Sequence, residues 1–200
     1  MSRILGRTRS EVPELEPYFQ AFEERMGFLP NSMLAMAHKP ALVRALTELA
    51  QVVYDPACKT SRQLRNMVGY MASRAAGCMY CSAHAAGNSG RSKIEDEKIA
   101  AIWDFEQSPL FTDAERAALR FAYHAAVVPN AVTDEDVAQL ARLYGTEEMV
   151  EIMTVVAWFG FLNRWNDSLA TRLEEPPRSF AERTVGGSGW VAGKHAAEGS

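Results

Sequence analysis

Cysteine is scarce: Cys58, Cys78 and Cys81 are the only three in a chain of 200 residues. An odd count at uneven spacing excludes the disulfide framework of a small secreted domain. No stretch of about 18 consecutive apolar residues occurs, so nothing reads as a membrane span. The opening residues, Met1 to Arg9, lack an apolar core and do not read as a secretory signal. Positive charge is not in excess either, since 21 Lys and Arg against 25 Asp and Glu leave a net charge of −4. A basic face is the footprint of nucleic-acid binding, and this balance argues against it. No internal repeat is evident, and the only compositionally biased stretch is the glycine-rich end. These absences lead to the expectation of a cytoplasmic protein whose partners include neither membrane nor nucleic acid.

The remaining composition is that of a globular protein, with 48% hydrophobic and 23% charged residues. A chain of this length forms one domain and buries about 70% of the surface its unfolded form exposes. Periodicity predicts helices and no convincing strand. Glu14 to Met26 reads as a first helix closed by Gly27, and Pro40 opens another. Thr60 or Ser61 caps the next, where Leu64, Met67, Val68, Met71, Ala72 and Ala75 form a buried stripe. Ser92-x-x-Glu95 and Thr112-x-x-Glu115 read as capping boxes. Thr133 starts a short helix, and Gly145 ends it. From Thr146 to about Leu173 runs the longest helical stretch, apolar around most of its circumference, as suits a bundle centre or a subunit interface. Pro176 and Pro177 stop the pattern, and the last fifteen residues hold five of the 13 glycines. The expected organisation is an all-α helical bundle over residues 1–175, oligomeric, with a loose or partner-ordered glycine-rich tail over 176–200.

Chemistry concentrates in Gly77-Cys78-Met79-Tyr80-Cys81-Ser82-Ala83-His84. The glycine ends one helix and the C-x-x-C opens the next. Residues three apart share a helix face, so Cys78 approaches Cys81, and Cys81 approaches His84. A helix N-terminus lowers the pKa of a thiol there, and a histidine within reach accepts the thiol proton. A thiolate, a resolving thiol and a base within seven residues outline a dithiol redox site. Attachment of c-type haem fails, because Ser82 stands where the histidine is needed. A thioredoxin domain fails, because the flanks are helical. Structural zinc wants four ligands, and only Cys58 could join Cys78, Cys81 and His84.

At this motif the sequence resembles the AhpD-like family, which joins alkylhydroperoxidase D with carboxymuconolactone decarboxylase. Gly77, Cys78, Tyr80, Cys81 and His84 carry the likeness. It is closer still to a peroxidase-related branch, through Gly27-Phe28-Leu29-Pro30-Asn31, Val128-Pro129-Asn130, Phe161 to Asp167, and the tail residues Gly189, Trp190, Gly193, Lys194 and His195. The resemblance implies an all-helical fold and a homo-oligomer of two to six chains. It also implies thiol-dependent reduction of a small hydroperoxide without haem, flavin or other cofactor, with a thiol reductant restoring the dithiol. The decarboxylase members lack the cysteine pair. One position departs from the peroxidase pattern: Asn66 stands twelve residues before Cys78, where the family has a proton-relaying Glu. His84 also lies three residues after Cys81, where alkylhydroperoxidase D has four.

The catalytic candidates are therefore Cys78, Cys81 and His84, with Asn66 and Tyr80 as pocket candidates. Cys81, nearest His84, is the expected peroxidatic thiol, and Cys78, nearer the helix end and more exposed, the resolving one. His38 and His124 read as hydrogen-bonded core or interface histidines, Cys58 as a bystander, and Arg62, Arg65 and Arg74 as solvent-facing. Trp158, Phe161, Leu162 and Trp165 read as core or interface. Asn163, Asn166 and Asp167 beside them serve subunit contacts or reach a substrate. Two other readings stand beside the peroxidase: a redox-sensing or scaffold oligomer, and non-redox chemistry on a small carbonyl or lactone.

Overall fold

The computed structural model describes residues 2–196. Every regular element among them is helical. The ten α-helices are α1 (Glu16–Met26), α2 (Asn31–Met36), α3 (Pro40–Val53), α4 (Arg62–Ala75) and α5 (Met79–Arg91), then α6 (Asp96–Ala100), α7 (Asp113–Ala126), α8 (Asp134–Leu143), α9 (Thr146–Leu169) and α10 (Glu175–Val185). The core is built on α4, which packs against α5, α7 and α9 at once. That position explains why α4 is buried from Leu64 to Arg74 on every side. Gly69 makes the crossing with α9 possible, since a Cβ there would come 2.3 Å from the Phe159 ring.

Local signals set most of the boundaries. Gly27 ends α1 in the left-handed conformation at φ +81°, and Ser61 caps α4 by accepting from the Leu64 amide. Thr112 and Glu115 form the capping box of α7. Gly145, expected to end α8, instead starts α9, its amide donating to Glu148 Oε2 at 2.8 Å. The expected box at Ser92 does not form. Ser92 closes α5, its hydroxyl donating to the Ser89 carbonyl at 2.8 Å, and Glu95 precedes α6.

The tail departs most from expectation. Pro176 and Pro177 open α10 rather than ending order, because the first helical turn has no use for amide donors. This helix packs on α5, where the bare backbone of Gly90 admits the Phe180 ring. Beyond it, Trp190 and His195 are buried, and the Trp190 indole donates to Met79 O and Ser82 Oγ. The loose-tail reading therefore fails through residue 196, and residues 197–200 lie outside the described ones.

Arg65 and Arg74 are not solvent-facing. Arg65 is buried and donates to the Val53 and Asp55 carbonyls, while Arg74 donates to Ser188 O and lies 4.9 Å from the Trp103 ring centre. His38 and His124 are hydrogen-bonded as expected, His38 with Leu5 O and His124 with Asp136, but neither is a core residue, His38 being exposed and His124 half-buried. No helix among the described residues is long and apolar enough to cross a membrane.

Candidate active site

Gly77, left-handed at φ +75°, ends α4 and turns the chain so that Cys78 becomes the N-cap of α5. The Cys78 sulfur accepts from the Cys81 amide at 3.4 Å, taking the place a serine oxygen holds in an ordinary cap. No disulfide bond joins the two sulfurs. The expectation of a more exposed Cys78 is overturned: it is fully buried, beneath α9 and the C-terminal segment, and Cys81 is 3% exposed. Cys58 lies away from both and bonds only weakly to the Val52 carbonyl.

Cys81 lies on the wall of a cavity of about 80 Å³. Tyr80, His84, Asn166, Trp158 and Phe159 line it with Cys81, and Met33 and Leu46 close it from α2 and α3. Its volume is comparable to that of two or three waters at about 30 Å³ each. Larger surface clefts lie elsewhere. One, of about 650 Å³, reaches Asp167 but neither thiol. Burial pushes the Cys81 thiol well above its ordinary range, and the adjacent Cys78 thiol adds to the rise, while the Asn166 amide, donating to the sulfur at 3.4 Å, opposes it. The helix terminus does not prevail here: desolvation outweighs it, and the resting group is a thiol.

His84 stacks on Tyr80 at 4.5 Å, and its Nε2 lies 2.7 Å from Glu174 Oε2. The same carboxylate accepts from the Tyr80 hydroxyl at 2.8 Å and from the Asn31 amide. Burial alone would push the Glu174 carboxyl up, but the His84 charge and these hydrogen bonds prevail and hold it below the usual carboxylate range. An ionised Glu174 keeps a proton on Nε2 and leaves Nδ1 outside that contact. Burial and the nearby Glu174 charge push the Tyr80 phenol well up, so it stays a donor.

Asn66 is buried on α4 and does not line the cavity. Its side-chain amide donates to the backbone carbonyl of Asn88, so it braces the wall from behind. Glu174 was missed by sequence reasoning because it lies ninety residues from His84, just past the end of α9. The signal that could have found it is the acidic pair Glu174-Glu175 before Pro176, an N-cap pattern read instead as a break.

Behind Cys81, a second group gathers around Cys78. The Cys78 sulfur, a carboxylate oxygen of Asp167 and a ring nitrogen of His195 lie within 4.8 Å of one another. His195 Nδ1 donates to the Thr171 carbonyl at 2.7 Å, and Nε2 is 3.6 Å from Asp167 Oδ1. Lys194 pairs with the other oxygen of Asp167 at 2.8 Å. Asn163, also on α9, donates to Ala72 O and so serves the helix packing.

Comparison with known proteins bears on this arrangement. The model of the carboxymuconolactone decarboxylase family matches residues 40–124. The uncharacterized protein YnjA of Escherichia coli (strain K12) is 29% identical over 110 residues, which are 53% of this chain and 58% of that protein. The crystal structure of the debrominase Bmp8 is 35% identical and superposes with a TM-score of 0.84, covering 90% of this chain and 97% of that one. A cysteine-to-alanine variant of that debrominase was crystallised in complex with 2,3,4-tribromopyrrole. An uncharacterized peroxidase-related protein from Ralstonia eutropha JMP134, described as an alkylhydroperoxidase AhpD core, shares the fold with a TM-score of 0.79 at 20% identity, over 90% of this chain and 95% of its own. The matched region runs from α3 to α7 and includes both thiols and His84, and the chain belongs to the carboxymuconolactone decarboxylase family.

Proposed function

We propose that the protein is a dithiol oxidoreductase that reduces a small apolar hydroperoxide with Cys81 and Cys78. The observation that carries this reading is that Cys81 and a Glu174-anchored His84 open onto one small cavity, with the Cys78 sulfur directly behind at the helix cap. His84 takes the Cys81 proton when substrate displaces water from the cavity, and Glu174 stabilises the imidazolium, as a carboxylate does in a triad. The thiolate attacks one peroxide oxygen, the S–O bond forms and the O–O bond breaks. The departing alkoxide takes its proton back from His84. Cys78 then displaces hydroxide from the Cys81 sulfenic acid, giving a disulfide and water. A thiol reductant restores the pair, so the cycle needs no other cofactor.

Members of this family are enzymes of several kinds, and the debrominase likeness at 35% identity over nine-tenths of the chain favours a second reading: an organic halide in the same cavity. There the thiolate takes the halogen, carbon takes the proton, and Cys78 expels halide to form the same disulfide. The two readings are separated by presenting the reduced protein with cumene hydroperoxide or with a bromopyrrole. The first predicts loss of two thiols per chain, with cumyl alcohol formed in equal amount and the bromopyrrole unchanged. Release of bromide with untouched hydroperoxide would replace it with the second, and thiols that survive both reagents would refute the two together. The reading extends to a homo-oligomer in the cytoplasm, with Val150, Met153 and Phe161, exposed on α9, covered by another copy. Light scattering at micromolar concentration tests it, and a stable 22.1 kDa monomer would contradict it.

A further inference from the structure

We propose that His195 is the general base for Cys78, with Asp167 steadying the resulting imidazolium, so that the resolving thiol has an acid–base group of its own, separate from His84. The proposal rests on the dithiol reading above and deepens it. Three observations carry it. The Nδ1–H of His195 is committed to the Thr171 carbonyl, which fixes the tautomer and leaves the lone pair on Nε2. That Nε2 is buried in a residue only 1% exposed and finds no hydrogen-bond partner among the described residues. An orphaned buried ring nitrogen is costly unless it has a use. A ring nitrogen of His195, an Asp167 oxygen and the Cys78 sulfur lie within 4.8 Å of one another, and Nε2 faces Asp167 at 3.6 Å from Oδ1, a spacing that a side-chain adjustment closes, since apo enzymes often hold their acid–base pairs loosely.

The electrostatic setting is consistent. Burial pushes the His195 imidazole below its ordinary value of 6.5, so it is unprotonated near neutrality and free to accept. The charged and titratable groups that face it are Asp167 from α9, Lys194 from its own segment, and Cys78 and Tyr80 from α5, the last with ring centres 5.8 Å apart. Glu174 and His84 lie beyond Tyr80. When the Cys78 proton moves to Nε2, the orphaned atom gains a donor hydrogen beside Asp167, and a neutral pair becomes a thiolate and an imidazolium with a carboxylate next to it. The Cys78 thiolate then attacks the Cys81 sulfenic sulfur: the S–S bond forms, the S–O bond breaks, and the leaving hydroxide takes the proton from His195 as water. Cys78 is oxidised, the sulfenic sulfur is reduced, and no further reactant enters.

Single-turnover kinetics with one equivalent of cumene hydroperoxide separate the two steps, the first as loss of the Cys81 thiol and the second as formation of the disulfide. His195→Asn keeps a donor for Thr171 and removes Nε2. It should slow disulfide formation near neutral pH by on the order of a hundredfold, the usual yield of a general base. The deficit should shrink as pH rises and hydroxide replaces the base, and dimedone should trap the waiting sulfenic acid. Asp167→Asn, at a half-buried position, should slow the same step less and provides a second route if His195→Asn fails to fold. Disulfide formation at the wild-type rate in both variants, or a slowing equal at every pH, would overturn the role of His195 while leaving the dithiol reading intact. Stoichiometric zinc held by Cys78, Asp167 and His195 in the reduced protein would overturn it too. A wild-type protein that loses no thiol to the peroxide sinks the dithiol reading instead.

Discussion

Cys78 and Cys81 are three residues apart on one helix, yet their surroundings differ in almost every respect. Cys81 opens onto a cavity, beside a histidine from its own helix and a carboxylate from the start of α10. Cys78 is sealed inside and meets a histidine and a carboxylate from the C-terminal segment and the end of α9. A helix presents neighbours at i and i+3 on one face but cannot give both the same environment, because each turn meets a different layer of packing. The difference teaches that division of labour within a C-x-x-C need not come from the motif. Here the surroundings differ through segments about ninety to a hundred and twenty residues downstream, which bring Glu174 to His84 beside Cys81 and bring Asp167 and His195 to Cys78.

The comparison can be broken most sharply by removing one sulfur at a time. Cys81→Ser should abolish substrate reduction, whereas Cys78→Ser should still consume one equivalent of peroxide and then stall. Equal loss in both variants, measured as product per chain, would erase the distinction. Next in size is Glu174→Gln, which keeps the shape but lets the His84 tautomer invert; turnover at neutral pH should fall by roughly a hundredfold or more. A steady-state assay that found turnover unchanged would show that His84 does not depend on this carboxylate. The smallest effect is on stability. The Glu174 carboxyl is held below its ordinary value of 4.5, so its contribution is complete above that pH and is lost as the pH falls through the folded value. His195, held below 6.5, is buried neutral, so the unfolded chain binds its proton first and stability begins to fall below that pH. Thermal unfolding should therefore decline in two stages on acidification, with His195→Asn removing the upper one and Glu174→Gln the lower one.

Much of this architecture is legible in local sequence. The stripe on α4, Gly27 and Pro40 at helix ends and the Thr112 capping box are patterns within a few residues, and each forms as expected. The motif itself is legible for the same reason: Gly77 and the C-x-x-C occupy a helix junction whose geometry is local. What escaped depends on distant packing. Ser92 satisfies a capping pattern but is used to finish α5, because Lys93, at φ 63°, turns the chain away before α6 begins. Arg65 and Arg74 look like surface charges until α4 is seen at the bundle centre, where backbone carbonyls take their hydrogen bonds. The two prolines of α10 read equally well as a stop or a start, and only Trp190 and Phe180 finding sites on α5 decides the matter. Because that segment looked loose, Glu174 and His195 were invisible as site residues, although His195 stood in the tail that carried the family likeness.

The central claim, that the exposed cavity and the sealed cluster assign different tasks to the two sulfurs, is tested most directly by asking which sulfur is oxygenated first. Reduced wild-type protein is mixed with one equivalent of hydroperoxide, quenched at successive times in dimedone, digested and mapped by mass spectrometry. The account predicts a transient adduct on Cys81 that gives way to an intramolecular Cys78–Cys81 disulfide. An adduct that forms first on Cys78, or a digest in which both thiols remain free, would contradict it.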